Sequence, residues 1–347
     1  MPTTEFDYLI IGQGLAGTIL AHTLITRGQR VMVIDNAHSG SSSKVAAGII
    51  NPITGPRLKQ SDDFKHYVEQ AKSYYAKLEY HIKKQVFTEI KQVRQIQNDE
   101  QLSFLEKRLA DPQYSHVIQT LDNKTPLFKK TAYPQITING TAIVNTRDLL
   151  SASKTWLASL QSYQQSEFNY QDLTFHNNGV EYKNIHAKEI IFCEGYQATN
   201  NPWLKELPFK LAKGEIITLE NEPSNNTMLS WDKWLVPLGK SAKLGSNFAW
   251  DDLSLTPSNA TKDMLLTSAE ANIDTNITAK VLRHEVGIRP STRQREPFVG
   301  ALSTQNNAYC FNGFGSKGCL LIPHYATLLA DHLQHQTTLP SKVTQWL

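Results

Sequence analysis

The first forty residues constrain the chain most. Phe6 to Ile11 is a short apolar run of the kind used in buried parallel strands. Gly12-Gln13-Gly14-Leu15-Ala16-Gly17 follows, a G-x-G-x-x-G. Ile19, Leu20, Thr23, Leu24 and Ile25 then fall near helical spacing, which predicts an amphipathic helix with Gly28 as its stop. A second apolar run, Val31 to Ile34, ends in Asp35. In this order each part has a physical task. Gly12 permits a tight turn, Gly14 lets the backbone approach a pyrophosphate, and Gly17 allows the helix to pack closely on the strand. Free N–H groups at the helix start attract phosphate, and Asp35 stands at the distance from which an acid accepts hydrogen bonds from a ribose hydroxyl. With both strands and the acid in place, a dinucleotide site outweighs a glycine-rich turn in a nucleotide-free βαβ unit. The motif does not choose among dinucleotides.

Ser39 to Pro52 continues with small residues and hydroxyls, including Ser42, Ser43, Ala46, Ala47 and Gly48. That composition suits a loop on which a flat ring lies against backbone; serine and glycine richness equally produces a plain surface loop. Farther on, Asp62-Asp63 opens a predicted helix whose apolar stripe runs from Phe64 to Ile82, a pattern of core packing. Ile136 to Val144 reads as one strand, Arg147 to Leu150 begins a helix, and Phe168 to Cys193 carries an antiparallel pattern with turn residues. Strands are expected at Lys188–Gly195, Lys213–Leu219, Trp234–Pro237 and around Lys243-Leu244-Gly245, and helices at Ala260–Ile273 and about Leu321–Leu333. A parallel start followed by mixed β structure predicts an α/β nucleotide-binding domain, Rossmann-like, with an α+β substrate domain of mixed or antiparallel sheet interleaved. The boundaries expected are 1–55, 140–215 and 285–347 for the first, 56–139 and 216–284 for the second.

Composition narrows the function classes. The 347 residues are 40% hydrophobic and 19% charged, ordinary for a globular protein with a sizeable core. No run reaches about 18 apolar residues, so no membrane span is expected. No basic region precedes the first apolar run and no small-residue cleavage site follows, the pattern expected without a secretory signal. A net charge of +3 is too small to argue for nucleic acid. Arg57 to Arg94 holds nine Lys/Arg against five Asp/Glu, ordinarily a solvated face. Three cysteines without a C-x-x-C suggest neither disulfides nor a zinc site, and fit a reducing cytoplasm. The histidines are scattered, and no metal is expected.

Taken in order, the glycine motif, Ala46-Ala47-Gly48, Ile190 to Gly195, Lys213-Gly214, Val236-Pro237, Leu244-Gly245, Gly287-Ile288-Arg289-Pro290 and Gly313 to Gly318 make the chain resemble the FAD-dependent D-amino-acid oxidase superfamily. That superfamily includes glycine oxidases, sarcosine oxidases and the oxidase half of the bifunctional tRNA 5-methylaminomethyl-2-thiouridine enzyme, to which the C-terminal motifs are most similar. The resemblance implies FAD. It places Gly12, Gly14, Leu15, Ala16 and Gly17 by the pyrophosphate, Asp35 on the ribose, Ser42 and Ser43 near phosphate, and Ala46, Ala47 and Gly48 against the isoalloxazine. It further places Leu173 by its backbone at adenine, Gly195 at the cofactor, and Gly313, Gly315, Ser316, Lys317 and Gly318 at the pyrimidine edge of the flavin. Ser291 to Leu302 lacks the cysteine through which sarcosine oxidases attach flavin, so non-covalent FAD is expected.

The resemblance implies that Arg289 holds the substrate carboxylate, a task suited to a planar guanidinium; the alternative is a structural ion pair with Glu285 or Glu296. It implies that Lys243 promotes oxygen reduction through its charge, although most lysines are simply solvated. No tyrosine matches the one that helps hold substrate in glycine oxidases. The implied reaction is oxidation of a primary or secondary amine of an amino acid or N-substituted glycine, by hydride transfer to flavin, giving an imine that water hydrolyses. Alternatives are the same chemistry on a modified wobble uridine of tRNA, an FAD-binding protein without turnover, and a nicotinamide dehydrogenase.

Overall fold

The computed structural model describes residues 4–38, 40–60, 63–121, 127–220, 225–274 and 280–347. Ser39 and Asp62, which fall within the serine-rich loop and the predicted helix start, lie outside them.

Two large sheets organise the chain. In the first, the strand Thr4–Ile11 pairs in parallel with Val31–Asp35 on one side and Ile185–Phe192 on the other. Tyr163–Gln165 extends one edge, and Ala308–Asn312 adds to the upper half of the other. The hairpin Leu173–His176 and Gly179–Tyr182 occupies the lower half of that edge in antiparallel register. The first strand is buried on both faces from Tyr8 to Ile11, which is why its apolar run does not alternate.

The first helix, Leu15–Ile25, begins as the motif predicts, and Gly28 turns the chain at φ +83°. It is not amphipathic, however: nine of its eleven residues are buried, Thr18, His22 and Thr23 among them. It runs through the middle of a core shared with the sheet, the helix Phe64–Ile82 and the final helix Gly318–His335, so every face meets protein. Gly17 shows how tight this is. A Cβ there would stand 1.9 Å from the Gly12 carbonyl oxygen.

The second sheet has eight strands, in the order Val281–Thr292, Phe209–Leu219, Ser241–Gly245, Trp234–Leu238, Met228–Ser230, Gln92–Gln95, Gln135–Ile138 and Ile118–Thr120. All pairings are antiparallel except Met228–Ser230 with Gln92–Gln95. The expected α/β plus mixed-sheet architecture is therefore what the chain adopts, but the boundaries differ. Those at 215/216 and 284/285 cut through Phe209–Leu219 and Val281–Thr292, which pair along their length in the second sheet. The helix Phe64–Ile82, assigned by sequence to the second unit, packs in the core of the first. The single strand expected from Ile136 to Val144 is two strands in different sheets, separated by a turn with Gly140 at φ +84°. Among the described residues no helix is long and apolar enough to cross a membrane.

Candidate active site

A cavity of about 990 Å³ lies between the two sheets. At one end its wall is the glycine turn: Gly12, Gly14, Leu15 and Ala16 line it, with Asp35 at the end of the second strand. The Asp35 carboxylate accepts from the Gln13 N–H at 2.8 Å and the Ala37 N–H at 2.7 Å, so the acid is fixed against the turn. The helix Leu15–Ile25 has no acidic residue in its first turn and no side-chain cap from Gly14. Ser43 Oγ accepts from the Leu15 N–H at 3.0 Å, which sets the serine loop across the helix start. The final helix, Gly318–His335, reaches the same cavity through Gly315, Ser316, Lys317 and Gly318, again without an acid in its first turn or a side-chain cap. Two helix starts without an acid in their first turn, on one cavity and with Asp35 beside one of them, fit a dinucleotide carrying a pyrophosphate and a ribose. Ser42, Ala46, Ala47, Gly48 and Gly195 complete the placement of sequence-predicted residues on this wall.

Four predicted residues stand elsewhere. Gly17 and Gly313 lie behind the wall; Gly313 is at φ +85°, with Thr292 packed where a Cβ would be. Leu173 does not line the cavity. The turn Tyr170–Asp172 carries it into the edge hairpin, where it is buried with Leu9, Ile11 and Ile34, while Ser166, Glu167 and Phe168 reach the cavity instead. Lys243 also lies behind the wall. It is buried, and its Nζ donates to the carbonyls of Val45 at 2.8 Å and Ala46 at 2.7 Å. Burial pushes its ammonium down to about 8. The lysine thus braces the loop that presents Ala46, Ala47 and Gly48, with its charge one residue layer from the cavity.

Arg289 faces the cavity from the second sheet. Its Nη2 donates to Ser246 Oγ at 2.8 Å, and its guanidinium stacks on the Phe248 ring at 4.1 Å. Nη1 approaches the carbonyls of Asn247 at 3.4 Å and Lys213 at 3.5 Å. Among the described residues no carboxylate lies within ion-pair distance. Glu285 pairs with Arg147 at 2.6 Å and Arg283 at 3.5 Å, and Glu296 with Lys342 at 3.8 Å, so neither serves as the structural partner. Burial pushes the guanidinium down to about 10, still cationic at neutral pH. Gly214 is required beneath it, since a Cβ there would fall 2.2 Å from Nη2.

The loop carrying Ser246 and Phe248 is itself pinned. Lys213, 1% exposed, donates to Asp252 Oδ2 at 2.7 Å, Ser254 Oγ at 3.1 Å and the Thr256 carbonyl at 2.9 Å. Asn247 Oδ1 accepts from the Glu215 N–H at 2.7 Å.

Several lining residues have no signal in the sequence. Phe248 and Trp234 look like ordinary aromatics; only the fold brings Phe248 onto Arg289 and Trp234 to the cavity wall. Glu194 lies one residue before the predicted Gly195 and accepts from Tyr170 Oη and, at 2.7 Å, from Asn201 Nδ2. Removal from bulk water pushes its carboxyl up to about 7, against the two hydrogen bonds. Arg94 was counted in the basic stretch, yet it is buried and lines the cavity. Lys72 and Lys84 of that stretch pair with Glu89 and Asp148. All three cysteines are buried free thiols. Among the described residues no three His, Cys, Asp or Glu are grouped to hold a metal.

Residues 7–332 match the family model for FAD dependent oxidoreductase, DAO. The uncharacterized oxidoreductase YurR of Bacillus subtilis (strain 168) is 27% identical over 362 residues, spanning 93% of this chain and 94% of that protein. Glycine oxidase from Bacillus cereus ATCC 14579 superposes with a TM-score of 0.81 at 18% identity, covering 96% of each chain. Iminodiacetate oxidase from Chelativorans sp. BNC1 does so with a TM-score of 0.81 at 19% identity, covering 97% of this chain and 98% of its own. At such identities the superpositions establish the shared fold.

Proposed function

Because the chain belongs to the DAO family of FAD-dependent oxidoreductases, we propose that it oxidises a primary or secondary amine borne by a carboxylate-containing substrate, an amino acid or N-substituted glycine. Arg289 is the observation that carries this reading: a half-buried cation on the cavity wall, stacked on Phe248 and, among the described residues, with no carboxylate in ion-pair distance. Leaving such a charge unpaired is costly, and a substrate carboxylate would complete it with a bidentate pair.

The Gly12–Ala16 turn, Asp35, Ser42, Ser43 and the Gly315–Gly318 segment would hold FAD non-covalently, and Ala46 to Gly48 would back its ring. The bound cofactor supplies a hydride acceptor. The chain's own contribution is position: Arg289 fixes the carboxylate, and the Lys213-pinned loop keeps Ser246 and Phe248 against the guanidinium. Lys243 holds the carbonyls of Val45 and Ala46 and lends positive charge behind the ring.

The test is an anaerobic screen of amines against the purified holoprotein, following the visible absorbance of FAD. Carboxylate-bearing amines should bleach it and their decarboxylated counterparts should not. An FAD that no amine bleaches would leave a binding protein without turnover.

A further inference from the structure

The cavity holds a second guanidinium, this one buried, that the reading above does not use. Arg94, on the strand Gln92–Gln95, is 7% exposed and lines the cavity. Its Nη2 donates to the Gly55 carbonyl at 3.0 Å, while its Nε is buried without a partner. Among the described residues no carboxylate lies within ion-pair distance of it, and Asp232, on the same wall, is taken by Lys233 at 2.6 Å. One carbonyl does not satisfy the five donors of a guanidinium. A buried arginine whose only office is structural would be expected to carry an acid.

Arg289 and Arg94 belong to the same sheet but stand on its first and sixth strands. Five strand spacings are about 24 Å between backbones on a flat sheet. Arg289 leans over Gly214 on the adjacent strand, leaving four spacings, about 19 Å. The twist of the sheet and the inward reach of Arg94 shorten that gap. The two cations therefore address opposite ends of a long molecule.

Resting on the reading that Arg289 receives a substrate carboxylate, we propose that the substrate is an elongated amine with a second anionic group, a carboxylate or a phosphate, that docks on Arg94 at the far end of the cavity. The second group takes no part in the oxidation. It adds binding energy remote from the reacting carbon and fixes the direction in which the molecule lies. A short zwitterion would engage one arginine only.

The test is titration of the holoprotein, read from the visible absorbance of bound FAD, with straight-chain monocarboxylates, α,ω-dicarboxylates and ω-phosphonocarboxylates of rising chain length. Beyond a threshold length the dianions should bind at least ten-fold more tightly than monocarboxylates of equal length. Arg94→Met should bring that ratio close to one, and Arg94→Lys should restore part of it. Preference for the phosphonates would assign a phosphate, and the reverse a carboxylate. A wild-type ratio near one at every length, or a ratio that survives Arg94→Met, overturns the proposal. The wild-type length series decides alone should Arg94→Met fail to retain FAD. Monocarboxylate binding indifferent to Arg289→Met would instead overturn the role of Arg289, a separate failure.

Discussion

The glycine-turn end of the cavity is built where stretches of main chain come close: the turn at Gly12 to Ala16, the starts of two helices, and the serine loop laid across one of them. On the wall formed by the second sheet the polar groups are side chains, Arg289 stacked on Phe248 and, several strands away, Arg94. The two kinds of wall fail differently. A backbone wall accepts many side-chain changes but no added atom where two chains touch. A side-chain wall can lose its recognition group while the sheet beneath stays intact. Cofactor retention should therefore follow the first end, and substrate choice the second.

The largest effect is expected from breaking the backbone end. Gly17→Ala puts a Cβ 1.9 Å from the Gly12 carbonyl oxygen, and neither main chain can yield. The variant should purify largely without FAD and be destabilised by about 3 kcal/mol or more, read by absorbance and thermal denaturation. Full retention of FAD would show that the turn is looser than this packing requires.

Breaking the side-chain end should leave FAD in place. Truncating one partner of a buried Arg–carboxylate pair costs about 3–5 kcal/mol, so Arg289→Met should lower kcat/KM hundreds-fold or more, with the flavin spectrum retained. Loss of FAD together with activity would erase the division between the two ends.

The smallest effect sharpens the comparison at its exception, since Glu194 is a side chain on the backbone wall. Its carboxyl is pushed up to about 7, so the folded state holds the proton more tightly than the unfolded chain. Its contribution to stability is full at pH values below the ordinary carboxylate range and is lost as pH rises through about 7. The melting temperature of the wild type should fall across that window, and that of Glu194→Gln should fall less. Equal slopes would show that Glu194 is ionised in the folded protein throughout.

The same division explains what the sequence disclosed. The strand–turn–helix–strand–acid unit is local, spanning Phe6 to Asp35, and each residue type is dictated by backbone geometry. Which residues near Leu173 line the cavity was not legible, because a short turn, invisible in hydrophobic pattern, sends its side chain into the core. The amphipathic reading of Leu15–Ile25 failed because burial on all sides comes from helices far along the chain. Arg94 was hidden for the same reason: only the approach of Gly55 and the pairing with Met228–Ser230 turn a surface-looking arginine into part of a cavity wall. Lys243 was singled out by its motif, but its hydrogen bonds to Val45 and Ala46 are tertiary.

The most direct measurement is a crystal structure of the holoprotein with a carboxylate ligand that lacks the oxidisable amine. FAD should stretch from the Gly12–Ala16 turn to the Gly315–Gly318 segment, with the ligand carboxylate about 3 Å from both Nη atoms of Arg289. A ligand bound elsewhere, with Arg289 still satisfied only by Ser246 and backbone carbonyls, would contradict the account.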